Sequence, residues 1–114
     1  MMKIDAIIRP EKTNQVKAAL EEIDVIGITV HDVHGRGEQK GLEFINRAGK
    51  YRVDLLPKTL LTVVVPDPDV DKVIDTIVTA ARTGEMGDGK IFAPPVGRCV
   101  RIRTGEVDEK AVCP

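Results

Sequence analysis

Aromatic residues make up only 3% of this 114-residue chain, with no Trp, one Tyr and two Phe. That leaves little with which to stack nucleic-acid bases or cage a ligand. An excess of charge is missing too: 17 Lys and Arg stand against 18 Asp and Glu. A near-neutral chain has no general electrostatic grip on a phosphate backbone, so nucleic acid is not the expected partner. Cys99 and Cys113 are too few for a disulfide framework, and a reducing cytoplasm is the expected location. No apolar run reaches the length of a membrane span, and the N-terminus lacks the pattern of a secretion signal. What is present, 42% apolar and 31% charged residues, suffices for one modest core under a solvated surface, hence a single domain over 1–114.

Hydrophobic periodicity predicts the elements. From Lys3 to Arg9, Ile4, Ala6 and Ile8 face one way and Lys3, Asp5, Ile7 and Arg9 the other, the period of a half-buried strand. Pro10 ends it and suits a helix start, where its missing N–H is an orphan in any case. Val16, Ala19, Leu20 and Ile23 recur at helical spacing, and the β-branched run from Val25 to Val33 predicts a second strand. The plan then repeats. An apolar run from Leu60 to Val65 ends at Pro66, and Val70, Val73, Ile74, Ile77, Val78 and Ala81 form a helical stripe. After a glycine-rich segment come Ile91 and Phe92, the Pro94–Pro95 break, and a predicted strand from Val96 to Arg103. Two βαβ halves in one short chain predict an α+β fold, a ferredoxin-like double βαβ sandwich with both helices on one face of an antiparallel sheet. Ile7, Val25 and Val33 fall out of phase with the core set and are expected on the other face, as apolar surface for contact between subunits.

Gly35 to Leu56 interrupts the repeat. It is too long for a hairpin turn and carries glycines at 35, 37, 41 and 49. Loops of that length without structure of their own tend to be functional, so a partner is expected here. Further on, Gly84 to Lys90 (GEMGDGK) fits G-x-x-x-x-G-K, but Ile91 stands where a Mg²⁺-holding hydroxyl belongs. The segment also follows a helix and enters a strand, the reverse of an ATPase phosphate loop, which excludes that reading. Its glycines still let backbone N–H groups approach an anion, and Lys90 adds charge. Arg101 and Arg103, two apart on the predicted last strand, would share a face and complete a polyphosphate cradle. The alternative is a helix C-cap glycine, a turn and solvated arginines. No residue is assigned to catalysis. His31 and His34 are three apart and do not share a strand face. Cys99 beside Arg98 has no triad spacing and reads as a half-buried structural cysteine.

Three stretches carry a resemblance over nearly the whole chain, from IDAIIRPEK to RIRTGE: GRGEQKG (Gly35–Gly41), LLPK (Leu55–Lys58), and ARTGEMGDGKIF (Ala81–Phe92) with VRIRTGE (Val100–Glu106). In this order the chain resembles the PII family of nitrogen-regulatory signalling proteins, the GlnB/GlnK type. The resemblance implies a homotrimer that binds ATP or ADP in clefts between subunits and senses 2-oxoglutarate. It also implies an effector loop, the T-loop, over about residues 36–55, and a C-terminal tail, about 104–114, that orders over the nucleotide. Gly87, Asp88, Gly89 and Lys90, with Arg101 and Arg103, match positions that hold the phosphates. Thr29, Gly35 and Val64 match residues around the adenine, and Arg36, Gly37, Glu38 and Gln39 complete the nucleotide side of the loop. Gln39 matches the residue that coordinates Mg²⁺ with the ATP phosphates and 2-oxoglutarate. Lys58 matches the residue that pairs with a 2-oxoglutarate carboxylate, with Gly87 beside it.

The departures bear on the mechanism. Many members carry Arg after the second loop glycine; here Glu38 follows Gly37 and Arg36 precedes it, so Arg36 is expected to take over the phosphate contact. Tyr51 matches a tyrosine that some bacterial members present for uridylylation or adenylylation, although its flanks Asn46, Lys50 and Arg52 differ from the usual motif. Gly49 stands where another branch phosphorylates a serine. Arg47 matches a loop-tip arginine that plugs ammonium channels; the plainer alternative is a solvated loop arginine. The implied mechanism is a population shift of the loop, with ATP–Mg²⁺ and 2-oxoglutarate favouring one conformation and ADP another. The implied partner is an ammonium transporter, with the protein cytoplasmic and reaching the membrane through it. Regulation of a soluble enzyme such as glutamine synthetase or nitrogenase, or sensing of another small effector, are the alternatives. A nucleotide hydrolase would need a dedicated base or arginine finger, and none is evident.

Overall fold

A computed structural model of the chain describes residues 1–37 and 42–112, with the backbone alone at 42, 44, 46 and 51–53. Its elements are β1 (Met2–Ile8), α1 (Thr13–Glu22), β2 (Thr29–Gly35), β3 (Leu42–Asn46), β4 (Gly49–Val53), β5 (Leu56–Val65), α2 (Val70–Ala81), β6 (Lys90–Phe92) and α3 (Glu109–Val112). Four strands form one antiparallel sheet in the order β2-β5-β1-β6. That order, with a helix after β1 and another after β5, is the ferredoxin-like arrangement expected from the repeated βαβ pattern. The matching proline corners behave alike: Pro10–Lys12 and Asp67–Asp69 each make one 3₁₀ turn that leads into α1 and α2.

The predicted alternation is what divides the sheet into two faces. Ile4, Ala6 and Ile8 of β1 and Leu61, Val63 and Val65 of β5 are buried beneath the helices. They meet Val16 and Leu20 of α1 and Val70, Val73, Ile77 and Ala81 of α2. The other face takes the intervening residues, where Asp5 lies opposite Thr62, Ile7 opposite Leu60 and Lys3 opposite Val64. Thr62 Oγ1 donates to the Asp5 carboxylate on this face at 2.7 Å. Val33 lies on this face too, beside Lys58, as the periodicity predicts.

Three expectations are corrected. The second strand starts at Thr29 rather than Val25. Residues Ile23 to Val25 close α1 instead: Val25 N donates to Leu20 O at 2.9 Å and Asp24 N to Glu21 O at 3.0 Å, with Asp24 at φ 65°. This is a Schellman ending in which Asp24 takes the left-handed position usually given to glycine. Val25 consequently packs against the core and does not belong to the open face. The strand predicted from Val96 to Arg103 does not form. Pro94 and Pro95 have no N–H to continue the ladder, and pairing ends with Lys3 N to Pro94 O at 2.9 Å and Val96 N to Met1 O at 3.2 Å. Beyond them the chain closes a local ring through Arg101 N to Glu106 O and Gly105 N to Arg101 O, both 2.8 Å. Finally, the Gly35–Leu56 segment holds regular structure: β3 and β4 pair as a hairpin of their own, with Arg47 and Ala48 at its turn.

Leu61 lies at the middle of β5 with no exposed surface. Leu61→Ala is expected to lower stability by about 2–5 kcal/mol, the range for a large-to-small change in a packed core. Urea unfolding followed by circular dichroism reads the shift in midpoint, and a change below about 1 kcal/mol would contradict this account of the core.

Candidate functional site

The antiparallel pairing of β6 with β1 carries the glycine-rich segment to one end of the sheet. Ile7 lies opposite Lys90, so the turn before Lys90 packs against the last residues of β1. Gly84, Gly87 and Gly89 all have positive φ, at 89°, 103° and 98°. Gly89 is doubly constrained, because a Cβ there would collide with the carbonyl oxygen of Ile7. Only glycine satisfies both the backbone angle and the approach.

Asp88 holds the turn together. Its carboxylate accepts the backbone N–H groups of Thr83 and Gly84, both at 2.9 Å, and the Thr83 hydroxyl. Arg9 Nε donates to it at 2.9 Å, while another nitrogen of the same guanidinium reaches the Met86 carbonyl at 2.7 Å. The Thr83 hydroxyl bond leads in holding the Asp88 carboxyl far below the usual carboxylate range, followed by Arg9 and the two backbone donors. All four donors bind the charged form more strongly than the protonated one, so the carboxylate form dominates through the neutral range.

A cavity of about 360 Å³ opens between this turn and the foot of the hairpin. One wall is Glu85 to Lys90; the other is Gly35, Arg36 and Gly37 with Leu56 and Lys58. Lys58 bridges the walls, its Nζ donating to the Gly87 carbonyl at 2.7 Å. Arg36 spans the base of the hairpin to Asp54 at 3.3 Å, with both side chains more than half exposed. Such a pair is weak in water and yields readily to a stronger anion. Arg36, Lys58 and Lys90 set three cations around glycine-permitted backbone, a chemistry suited to a multiply charged anion. Among the described residues, no three His, Cys, Asp or Glu side chains converge as a metal site.

Of the residues singled out from sequence, the cavity gathers Gly35, Arg36, Gly37, Lys58, Gly87, Asp88, Gly89 and Lys90. Glu38 and Gln39 lie outside the described residues. Thr29 and Val64 lie elsewhere: Gly35 pairs with Leu56 at one end of β5, whereas Thr29 pairs with Thr62. From Leu56, Val64 is eight residues along β5, roughly 27 Å at strand rise. Arg101 and Arg103 do not project side by side from a strand, because that strand is absent. Arg101 Nη1 instead meets Glu106 Oε1 at 3.1 Å, and Arg103 is exposed on a turn. His31 and His34 pair with Leu60 and Pro57 and so occupy opposite faces of β2, as their spacing requires. Cys99 is half-buried, and its backbone N–H donates to Asp108. Arg47 is exposed at the hairpin turn, and Tyr51 lies opposite Phe44 in the hairpin ladder. The sequence reading missed Arg9, Thr83 and Asp54; each acquires its role from a partner that only the tertiary fold supplies.

Two outcomes follow from the Asp88 turn. Gly89→Ala should cost about 1–3 kcal/mol from the forced φ alone, more if the β1–β6 contact opens, and should weaken anion binding at the loop. Thermal melts and a titration with inorganic triphosphate check both. Because the folded pKa of Asp88 lies below its ordinary 3.8, its stabilisation is present above that value and is lost as pH falls towards the folded one. Asp88→Asn should therefore show a flatter decline of melting temperature between pH 5 and 2 than the unaltered protein, by about one titrating group.

The chain is similar to known proteins along nearly its whole length. The profile of the family described as nitrogen regulatory protein P-II matches residues 1–106. Nitrogen regulatory protein P-II 2 of Methanothermobacter thermautotrophicus is 55% identical over 112 residues, covering 98% of this chain and 97% of that one. Nitrogen regulatory protein P-II 1 of Escherichia coli K12 is 51% identical over 112 residues, covering 98% of this chain and all of the relative. A crystal structure of Arabidopsis thaliana PII bound to citrate superposes with a TM-score of 0.80 at 40% identity, covering 98% of this chain and 89% of that one. With the same fold, the profile match and half or more of its residues shared along nearly its full length, the chain belongs to the P-II family of nitrogen regulatory proteins, a signalling family and not an enzymatic one.

Proposed function

We propose that this protein signals nitrogen and energy status by binding ATP or ADP, with Mg²⁺, and 2-oxoglutarate in the cavity, and acts on partners through residues 36–55. The observation that carries this reading is Lys58, held on the Gly87 carbonyl where the glycine turn meets the foot of the hairpin. A carboxylate that draws Lys58 off Gly87 changes the turn and the hairpin base together. Phosphates fit the Gly87–Lys90 turn, where backbone comes close and Lys90 and Arg36 add charge. Gln39 would share the Mg²⁺ with those phosphates. The Arabidopsis relative's citrate is likewise a small polycarboxylate, which supports a carboxylate as the second ligand.

Assembly as a homotrimer completes the site. Along β5, Lys58 is six residues from Val64, roughly 20 Å at strand rise, and Gly35 lies level with Leu56, eight residues away, so a second copy that supplies Thr29, Val64, Arg101 and Arg103 would bring both sets to one nucleotide. The open sheet face with Ile7, Leu60, Val33 and Val64 offers the apolar surface for that contact. The target we favour is an ammonium transporter, reached by the exposed Arg47 at the hairpin turn, with the protein cytoplasmic and at the membrane only through that partner. A soluble enzyme of nitrogen metabolism is the second reading.

Calorimetric titration of 2-oxoglutarate, with Mg²⁺ and either ATP or ADP, tests the coupling. Saturable binding is expected with ATP and not with ADP, and linkage requires 2-oxoglutarate to tighten ATP by the same factor. Lys58→Ala should abolish the 2-oxoglutarate isotherm while ATP affinity stays within about tenfold, since the phosphates keep Lys90 and the turn. Absence of any 2-oxoglutarate binding with ATP would remove the second signal from this reading.

A further inference from the structure

We propose that Arg9 is the positioning residue of the glycine turn: it neutralises the Asp88 carboxylate and takes up the Met86 carbonyl, and so makes the turn able to receive a polyphosphate. This rests on the reading that the turn binds nucleotide phosphates. The turn contains a contradiction that Arg9 resolves. Asp88 is needed as an internal tie, since its carboxylate gathers Thr83 and Gly84, yet a negative charge inside a phosphate site opposes the ligand. The compensating cation comes from a different part of the chain. Arg9 follows β1 and precedes the Pro10 turn, and its Nε meets Asp88 Oδ1 at 2.9 Å with both side chains about three-quarters buried or more. Partial burial makes this pair stronger and less salt-sensitive than the exposed Arg36–Asp54 pair at the hairpin base.

The guanidinium performs a second task that a lysine cannot perform at the same time. Its other arm donates to the Met86 carbonyl at 2.7 Å, while Lys58 donates to the next carbonyl, that of Gly87, also at 2.7 Å. Two successive carbonyl dipoles, which would repel an anion, are thus each occupied by a cation. The planar fork spans Asp88 and Met86 in one orientation, whereas an ammonium on a flexible stem meets one acceptor well or the other. Arg9 meets the turn through Asp88 and the Met86 carbonyl, so its action runs through the turn.

The test is titration of ATP and of ADP into the full chain and its Arg9→Gln, Arg9→Lys and Arg9→Gln/Asp88→Asn variants, each with a thermal melt. Arg9→Gln should weaken ATP by about 10- to 100-fold, the equivalent of one charge-assisted hydrogen bond. It should weaken ADP less, so that the ATP-to-ADP affinity ratio falls. Arg9→Lys, keeping the charge without the fork, should recover part of the loss and carries the test if Arg9→Gln does not fold. Removing the Asp88 charge as well should restore part of the ratio. A loss equal for both nucleotides would mark a merely structural role, and ATP binding within twofold of the unaltered protein would overturn the proposal outright. If the unaltered protein binds neither nucleotide, the phosphate-site reading fails with it; if it binds both and no Arg9 variant differs, this inference alone fails.

Discussion

The position of β1 between β5 and β6 is the constraint on which the rest of the structure depends. One side of the strand, Ile4, Ala6 and Ile8, is the floor of the core; its edge pairs with Lys90 to Phe92; and the residue after its last position reaches the glycine turn. Hydrophobic burial of alternate residues thereby determines the register in which the turn is presented. The glycine angles alone would leave the turn free to adopt many shapes. Pairing to β1, with the Gly89 backbone tight on Ile7, selects one of them.

Charge is then distributed in two layers around that backbone. Arg9 is spent on the acid and a carbonyl within the turn, while Arg36, Lys58 and Lys90 stand at the cavity wall. Lys58 belongs to both layers, since it touches Gly87 and lines the cavity. This arrangement suits a sensor, which needs differential contacts in two states more than it needs tight binding in one. On the proposed reading, the Lys58–Gly87 bond is an intramolecular contact that a ligand carboxylate would replace. The exposed Arg36–Asp54 pair is a weak tie at the foot of the hairpin, with Arg36 at the cavity wall.

The Schellman ending at Asp24, the Pro94–Pro95 break and the β3–β4 hairpin share one lesson. A run of β-branched residues states that a segment prefers to be extended; it does not state where a preceding helix ceases to need it. Val25 is claimed by the end of α1 before β2 can use it. In the same way, Val96 to Arg103 has the composition of a strand, yet a strand needs donors that prolines withhold and a neighbouring edge to pair with. The hairpin was hidden because its glycines resemble those of an irregular loop, whereas its ladder depends on a register that composition does not reveal.

Local pattern by itself determined the alternation of β1 and β5, the helical stripe of α2, the proline corners, and the glycine turn with Lys90, because each depends on neighbours within a few residues. From these the double βαβ plan was legible, as were the cavity members Gly87, Gly89 and Lys90. The motif resemblance extended legibility to Asp88, Gly35, Arg36, Gly37 and Lys58. Only the tertiary structure decided that Arg9 would meet Asp88 across 79 positions of sequence and Lys58 would meet Gly87 across 29. It also decided that Arg101 would turn to Glu106 and that Thr29 and Val64 would stand far from the turn in the same chain. The reason is physical: a hydrogen bond between distant residues is specified by strand order and register, which follow from how the whole core closes, and no short window of sequence contains that information.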